Sequence, residues 1–530
     1  MMGNLNRTAL ALGIAASALA GTASAAEYIV KMKSAGEAEA FAVSEALESA
    51  KVEDVHAPGA LVKVSLPDAE ESLTAQRLKE IMDRPDVEYV VANFQLKALS
   101  TPNDPRLSEQ WALAKVRATT AWDRTVGSRS ISVAVIDTGV DYRHPDLAAN
   151  IYVNSGEVAG NGVDDDGNGY VDDVNGWDFL DNDKDPNDAT SSQNPGHGTH
   201  CAGIIGAVGN NGQGLSGIAQ QVAIMPLRFI GPNGQGDLMA AIRSIDYAIA
   251  KDVDVISASW GAQVAASQAQ PLIEAVVRAS DAGIIFVAAA ANSSNNNDSV
   301  DMYPANVEAV NLIAVAASGP NDEKPDWSNF GKAKVHVAAP GLNILSTLPN
   351  NTFGNLSGTS MATPLVAGSV ALMLAESANE GVALSGSQIK ALLQATGTRA
   401  AIETACMCRI DVAAALDAQA SNALTLLPTA LTLAPNATTQ VSAFGGAGGY
   451  QFASANPAII EVTAAGAATA KTVGETTVSV TDSAGATVQS LSFRVAEPSS
   501  GGGGGTECPL GDPMLCELMC MIDPTLPWCP

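Results

Sequence analysis

Three patterns of apolar and polar positions follow one another along the chain. Between residues 27 and 99, the segments 28–33, 61–66 and 87–91 have the short, β-rich pattern of strands. The Ala/Glu-rich stretches 37–49 and 69–82 have the composition of helices, so this region is expected to form a small α+β unit. From 105 to about 418 the pattern changes. Near-continuous apolar runs at 131–136, 222–225 and 283–288 alternate with helical stretches at 238–250, 270–279 and 363–375. Apolar strands between helices predict an α/β fold, a parallel sheet covered on both faces. Ligands of such sheets sit beyond the carboxyl ends of the strands. From 423 to 497 the helical period disappears, and Thr/Val/Ala segments such as 476–481 and 488–495 recur between Gly and Pro. A small β-sandwich of Ig-like type is expected there.

The two ends of the chain read differently. Arg7, the apolar run 9–20 and the small residues Ala23, Ser24 and Ala25 form the pattern of a secretory signal peptide over 1–25. The apolar run is too short to span a bilayer, and no later stretch reaches about 18 uninterrupted apolar residues, so the mature protein is expected to be exported, without a membrane span. At the other end, a Gly-rich linker occupies 498–507 and a Cys-rich tail 508–530. The intervening units are bounded at 27–100, 101–420 and 423–497.

Composition narrows the function further. The 530 residues are 46% hydrophobic, an ordinary globular value, and carry 56 acidic against 28 basic side chains, a formal charge of −28. That balance argues against nucleic acid or anionic lipid as partners, since both need a basic face. It suits a soluble chain or one that holds cations.

Three segments carry chemistry. The strand at 131–136 ends in Asp137-Thr-Gly-Val-Asp141, and a carboxylate at the buried edge of a parallel strand requires a partner. Gly196-His197-Gly-Thr-His200-Cys201 holds two of the five histidines, at i and i+3. A zinc helix would space them i and i+4 with Glu beside the first, which is absent. Ser357-Gly-Thr-Ser360-Met-Ala-Thr-Pro364 leads into an apolar run. There a helix N-terminus offers N–H groups to a developing oxyanion, and the small neighbours leave Ser360 accessible. Asp, His and Ser are the parts of nucleophilic acyl transfer: His takes the Ser proton, and Asp fixes the His tautomer.

In the order Asp137…His197…Ser360, these motifs resemble the subtilisin-like serine proteases over residues 104–416. The resemblance implies a subtilisin-like catalytic domain at 101–420, and a secreted serine endopeptidase acting on protein and peptide substrates. Asn292, after the strand beginning at Phe286, would donate its side-chain amide to the oxyanion, with Ala291 standing where the family has Gly. Removing such an amide costs about 10²–10³ in turnover, a magnitude measured on a subtilisin. The peptide would lie as an added strand between Ser259-Trp260-Gly261 and Gly234-Gln-Gly236. Met302 would floor the main pocket and Leu238 a second, giving broad specificity with an apolar preference before the cut. The unit at 27–100 becomes an inhibitory propeptide, an intramolecular partner removed by self-cleavage near Ser100. A monomer is expected. The competing reading is a secreted adhesion protein built on an inactive protease-like scaffold; intact Asp137, His197, Ser360 and Asn292 weigh against it.

Residues 161–188 hold ten Asp and one Lys. Asp164, Asp166, Asn168, Tyr170, Asp172 and Asp173 alternate around glycines, the spacing by which a tight loop wraps Ca²⁺. The resemblance to calcium-binding secreted subtilisin-like proteases supports that ion. A second cluster spans 181–188, and by resemblance a third site joins Asp104, Asp146 and Asn211. Among the cysteines, Cys201 is expected to be a buried free thiol. Cys406 and Cys408 stand too close in sequence for an easy mutual disulfide. Cys508, Cys516, Cys520 and Cys529 are expected to form two disulfides, with three possible connectivities.

Overall fold

The structure, a computed structural model, describes residues 26–43, 51–66, 71–93 and 102–496. The expected signal peptide, the cleavage point near Ser100, the Gly-rich linker and the four tail cysteines lie outside the described residues.

Four antiparallel strands open the described chain, in the spatial order Lys51–His56, Leu61–Leu66, Ala26–Met32, Val87–Ala92. Helices Ala35–Val43 and Glu71–Met82 complete the unit. Alternate side chains of the central strands (Tyr28, Val30, Met32, Val62, Val64) meet Phe41, Leu78 and Ile81 in a core of their own. The pattern predicts three strands; the fourth, Lys51–His56, was hidden by its charges. It is an edge strand with mostly exposed side chains, and its register shifts between Val52 and Asp54, so it lacks regular alternation.

A nine-stranded sheet organises the largest block, and its central order explains where chemistry can occur. Its first strand, Gly127–Asp137, lies between Gln221–Arg228 and Val255–Ala258, and pairs in parallel with both. Beyond Val255–Ala258 follow Ile285–Ala289, Leu312–Ser318 and Val337–Pro340, all parallel. Chain order therefore reverses at Gly127–Asp137, and a crevice opens beyond its carboxyl end. Apolar side chains fill both faces of the sheet, as the continuous hydrophobic runs predict.

Helix Thr359–Glu380 runs through one of these cores and is buried along nearly its whole length. By length and composition it could cross a bilayer, yet here it is a core helix, packed beneath the sheet and against helix His197–Gly206. Glycine makes the approach of the two helices possible. A Cβ on Gly368 would lie 2.0 Å from Ile218 Cγ2 and 2.9 Å from the Ile205 carbonyl oxygen.

Cys406 and Cys408 are bonded to each other, contrary to the expectation from their spacing. Their Cα atoms are 5.1 Å apart, inside the range a disulfide spans, because Met407 between them adopts a φ of +47°. From Thr425 to Val495 eleven short strands form four small sheets around Leu426, Val441, Phe452, Val480 and Phe493. Their pairings are antiparallel except for Leu431–Leu433 with Phe493–Val495.

Candidate active site

Asp137 is the last residue of the strand at the reversal point and is 1% exposed. Its Oδ1 accepts from the Thr138 amide at 2.7 Å and lies 2.7 Å from His197 Nδ1. With Asp137 ionised, Nδ1 carries the proton of that contact, which leaves Nε2 free to accept one. Burial opposes the charged form of His197, but the Asp137 carboxylate holds its pKa well above the usual histidine range.

Close backbone packing sets the ring's position. Gly198 leaves room for the Asp137 strand end: a Cβ there would lie 2.1 Å from the Gly139 carbonyl oxygen and 3.1 Å from Asp137 Cβ. Thr138 Oγ1 accepts from the Gly198 amide and donates to Asp188, whose other carboxylate oxygen binds the amide and hydroxyl of Thr199. Asp188, considered above for a second cation cluster, is thus buried between the Asp137 and His197 segments as a structural tie. Its pKa is raised by burial.

The other histidine of the motif does different work. His200 is fully buried, its Nε2 lies 2.9 Å from the Ile344 carbonyl oxygen, and burial brings its pKa down to about 3. It remains neutral and structural.

Ser360 lies in the first turn of helix Thr359–Glu380, and its Oγ donates to the Ser259 carbonyl at 3.0 Å. Cys201 links it to His197. The thiol sulfur is 3.4 Å from the Ser360 carbonyl oxygen and 4.0 Å from His197 Nδ1. Cys201 is the buried free thiol expected from the sequence, and burial pushes its pKa up. A protonated sulfur without solvent access is packing, not a nucleophile.

Asn292 follows the neighbouring strand Ile285–Ala289. Its Oδ1 accepts from both the amide and the hydroxyl of Thr359, each at 2.9 Å. With the oxygen held, the amide nitrogen is turned over Gly358, beside Ser360. Thr359 is an orienting residue that sequence reasoning missed, although it lies inside the Ser motif. The preceding Ala291 has a φ of +86°, a region that favours glycine.

Of the residues expected to bind substrate, Ser259 touches this centre directly, its hydroxyl donating to the Ser360 carbonyl at 3.0 Å. Trp260 donates its indole N–H to the Ile136 carbonyl at 2.7 Å and packs edge-on against Phe229, with centroids 4.9 Å apart. Met302 is buried, and its sulfur lies 3.5 Å from the point where a Gly261 Cβ would stand. Gly234 and Gly236 belong to a turn closed by the Ile230–Gly236 bridge, and Leu238 is exposed at the head of helix Leu238–Ala250.

The acidic loop separates into two groups. Carboxylate oxygens of Glu157, Asp164 and Asp166 converge within 4.8 Å of one another, an all-oxygen set suited to a hard cation. Glu157 had not been anticipated, because it precedes the repeating Asp pattern. Asp166 also meets Lys251 at 2.7 Å. Asp172 faces Lys184 at 2.6 Å, and Asp173 meets Lys251 and the Tyr247 hydroxyl. Asn168 joins the loop through Asp173, while Tyr170 packs among Trp177, Phe179 and Tyr247. Elsewhere Asp104, Asp146 and Asn211 do meet. Asp104 accepts from the Asn210 and Asn211 amides, and Asn211 Nδ2 donates to Asp146 at 2.8 Å. Asp104 and Asp146 are both buried, and no described Lys or Arg pairs with them. Burial raises the Asp146 pKa, and the nearby Asp104 adds to the shift. The two carboxylates suit a hard cation, whereas Asn211 presents its NH2 rather than its Oδ1 to Asp146, and that oxygen accepts from the Gln213 amide.

The subtilase family, peptidase class S8, matches residues 128–424, more than half of the chain. The chain belongs to the subtilase family. Thermitase of Thermoactinomyces vulgaris is 40% identical over 300 residues, covering 56% of this subtilase and 92% of the relative. The thermophilic serine proteinase of Bacillus sp. (strain AK1) is 37% identical over 303 residues, 57% of this chain and 67% of its own. A solved protease from Pseudoalteromonas arctica PAMC 21717 is 29% identical, covers 60% of this chain and 99% of its own, and superposes with a TM-score of 0.49. This subtilase is a serine-type endopeptidase.

Proposed function

We propose that this subtilase hydrolyses peptide bonds of proteins with Ser360 as nucleophile, His197 as general base and Asp137 as its orienting carboxylate. The observation that carries the reading is the 2.7 Å Asp137–His197 contact, on the same crevice as Ser360 and Asn292. Rotation of the Ser360 side chain away from Ser259 would direct Oγ toward His197 Nε2. Attack on the substrate carbonyl passes the hydroxyl proton to Nε2, and the imidazolium then protonates the leaving amine. Asn292 Nδ2 and the Ser360 amide would hold the oxyanion. An acyl-Ser360 intermediate is then released by water activated in the same way. Substrate would bind as a strand between Gly234–Gly236 and Ser259–Gly261, and the uncharged Met302 favours an apolar residue before the cut.

We further propose that the chain is secreted through the signal peptide at 1–25, and that 27–100 inhibits and then leaves by self-cleavage. The β region at 423–497 is proposed to be an Ig-like module. Ca²⁺ would be held by Glu157, Asp164 and Asp166, and separately by Asp104 and Asp146, with Asn211 joining through its Oδ1 once its amide turns over; in both places it would neutralise carboxylates that otherwise repel. The test is casein hydrolysis by the secreted protein. Loss of essentially all activity in Ser360→Ala, with folding retained, supports the reading; wild-type hydrolysis in that variant overturns it.

A further inference from the structure

A cavity of about 520 Å³ lies between the protease and the C-terminal β region. That size is within the roughly 300–1,000 Å³ of pockets that hold small organic ligands. Its location is remote from the catalytic crevice: His336 precedes strand Val337–Pro340, so the cavity opens at the amino ends of the strands. Lys332 and Lys334 lie on the approach to that strand, and Lys390 projects from helix Gly386–Thr396. The opposite wall contains Pro428, Ala430 and Leu431. These residues follow the end of the family match at 424, so that wall lies outside the matched protease region. A hydrogen bond from Thr429 to Gln394, 2.5 Å long, joins the two sides.

Four basic side chains, Lys332, Lys334, His336 and Lys390, line this cavity with one acidic side chain, Glu308. His336 Nδ1 accepts the Ala314 amide at 2.8 Å, so a neutral ring carries its proton on Nε2. No described residue accepts from that Nε2–H. Lys390 donates to the Leu312 carbonyl at 3.1 Å, using one of three N–H groups. Lys332 has no ion-pair partner among the described residues, and Lys334 pairs with Glu308, whose side chain is 83% exposed. Three ammonium groups thus face one solvated carboxylate, in a chain whose acids outnumber its bases 56 to 28. Burial and the nearness of Lys390 and Lys334 hold His336 well below the usual histidine range. Burial brings Lys390 down to about 8. Neighbouring cations act on His336 and desolvation alone on Lys390, and an anion held against both groups would oppose either shift.

We propose that this cavity binds a dianionic oxyanion carried on a small organic molecule, with Lys332, Lys390 and the His336 Nε2–H as its donors. Because the walls come from both sides of the junction, the ligand would also tie the β region to the protease. The test uses the full chain with Ser360→Ala, which limits self-digestion, titrated calorimetrically with glycerol 2-phosphate and with inorganic phosphate at fixed ionic strength. Glycerol 2-phosphate is expected to bind at least as tightly as inorganic phosphate and to raise the melting temperature. Lys332→Gln, at the cavity wall, and Lys390→Met are each expected to weaken binding at least tenfold. Absence of binding by both probes, binding of inorganic phosphate alone, or wild-type affinity in both lysine variants would overturn the proposal.

Discussion

Ala291 shows how far a single residue can be read. The sequence places it where the family has Gly, and the structure gives it a φ of +86°. A side chain there costs about 1 kcal/mol or more relative to glycine. Ala291→Gly is therefore expected to raise the denaturation midpoint while leaving the Asn292 amide oriented by Thr359. Equilibrium urea unfolding of an inhibited enzyme checks this. The Asp137–His197 pair gives a second prediction. His197 must be neutral to accept the Ser360 proton, and its raised pKa puts the acid limb of kcat/KM above the usual histidine value of 6.5. Activity rises with pH through that limb. The stability contributed by the protonated pair is full below 6.5 and is lost as pH climbs through the raised value. Asp137→Asn is expected to shift the limb to lower pH and to cut turnover by about 10⁴; a pH–rate profile measures both. Asp137, His197, Ser360 and Asn292 could be nominated from the sequence because each is embedded in a motif. Thr359 and Glu157 could not, since an orienting hydrogen bond and a carboxylate that precedes the Asp pattern leave no trace in residue spacing.

At the scale of elements, the parallel strands and core helices followed from continuous apolar runs, and the active-site helices from their small-residue motifs. Glycines at contact points explain why those motifs tolerate so little bulk. Gly198→Ala is expected to push the His197 segment away from Asp137, lowering kcat more than it raises KM. Gly368→Ala would wedge helix Thr359–Glu380 from Ile205 and Ile218, at a cost of about 1–3 kcal/mol. Thermal melting separates the second effect from the first. Edge strand Lys51–His56 and the Cys406–Cys408 bond escaped the sequence reading for related reasons. One has a shifted register and solvent-facing charges. The other depends on a left-handed residue, Met407, whose conformation is set by its surroundings rather than by its own preference.

For the whole molecule, an acidic chain with buried, unpaired carboxylates at Asp104 and Asp146 and a converging Glu157–Asp164–Asp166 set is expected to depend on cations. EDTA should lower the melting temperature by several degrees, and Glu157→Gln should reduce that loss; an unchanged melt in chelator contradicts calcium stabilisation. The overall α/β architecture was legible because it rests on hydrophobic period. The cationic cavity was not, because its walls are contributed by residues about a hundred positions apart. The proposed catalysis rests on one hydroxyl group, that of Ser360. Treatment of the active enzyme with phenylmethylsulfonyl fluoride, followed by peptide mass mapping, tests it most directly. A single sulfonyl adduct on Ser360 is expected, formed in step with loss of activity and absent in His197→Ala. Inactivation with the adduct on another residue, or full modification of Ser360 without loss of hydrolysis, would contradict it.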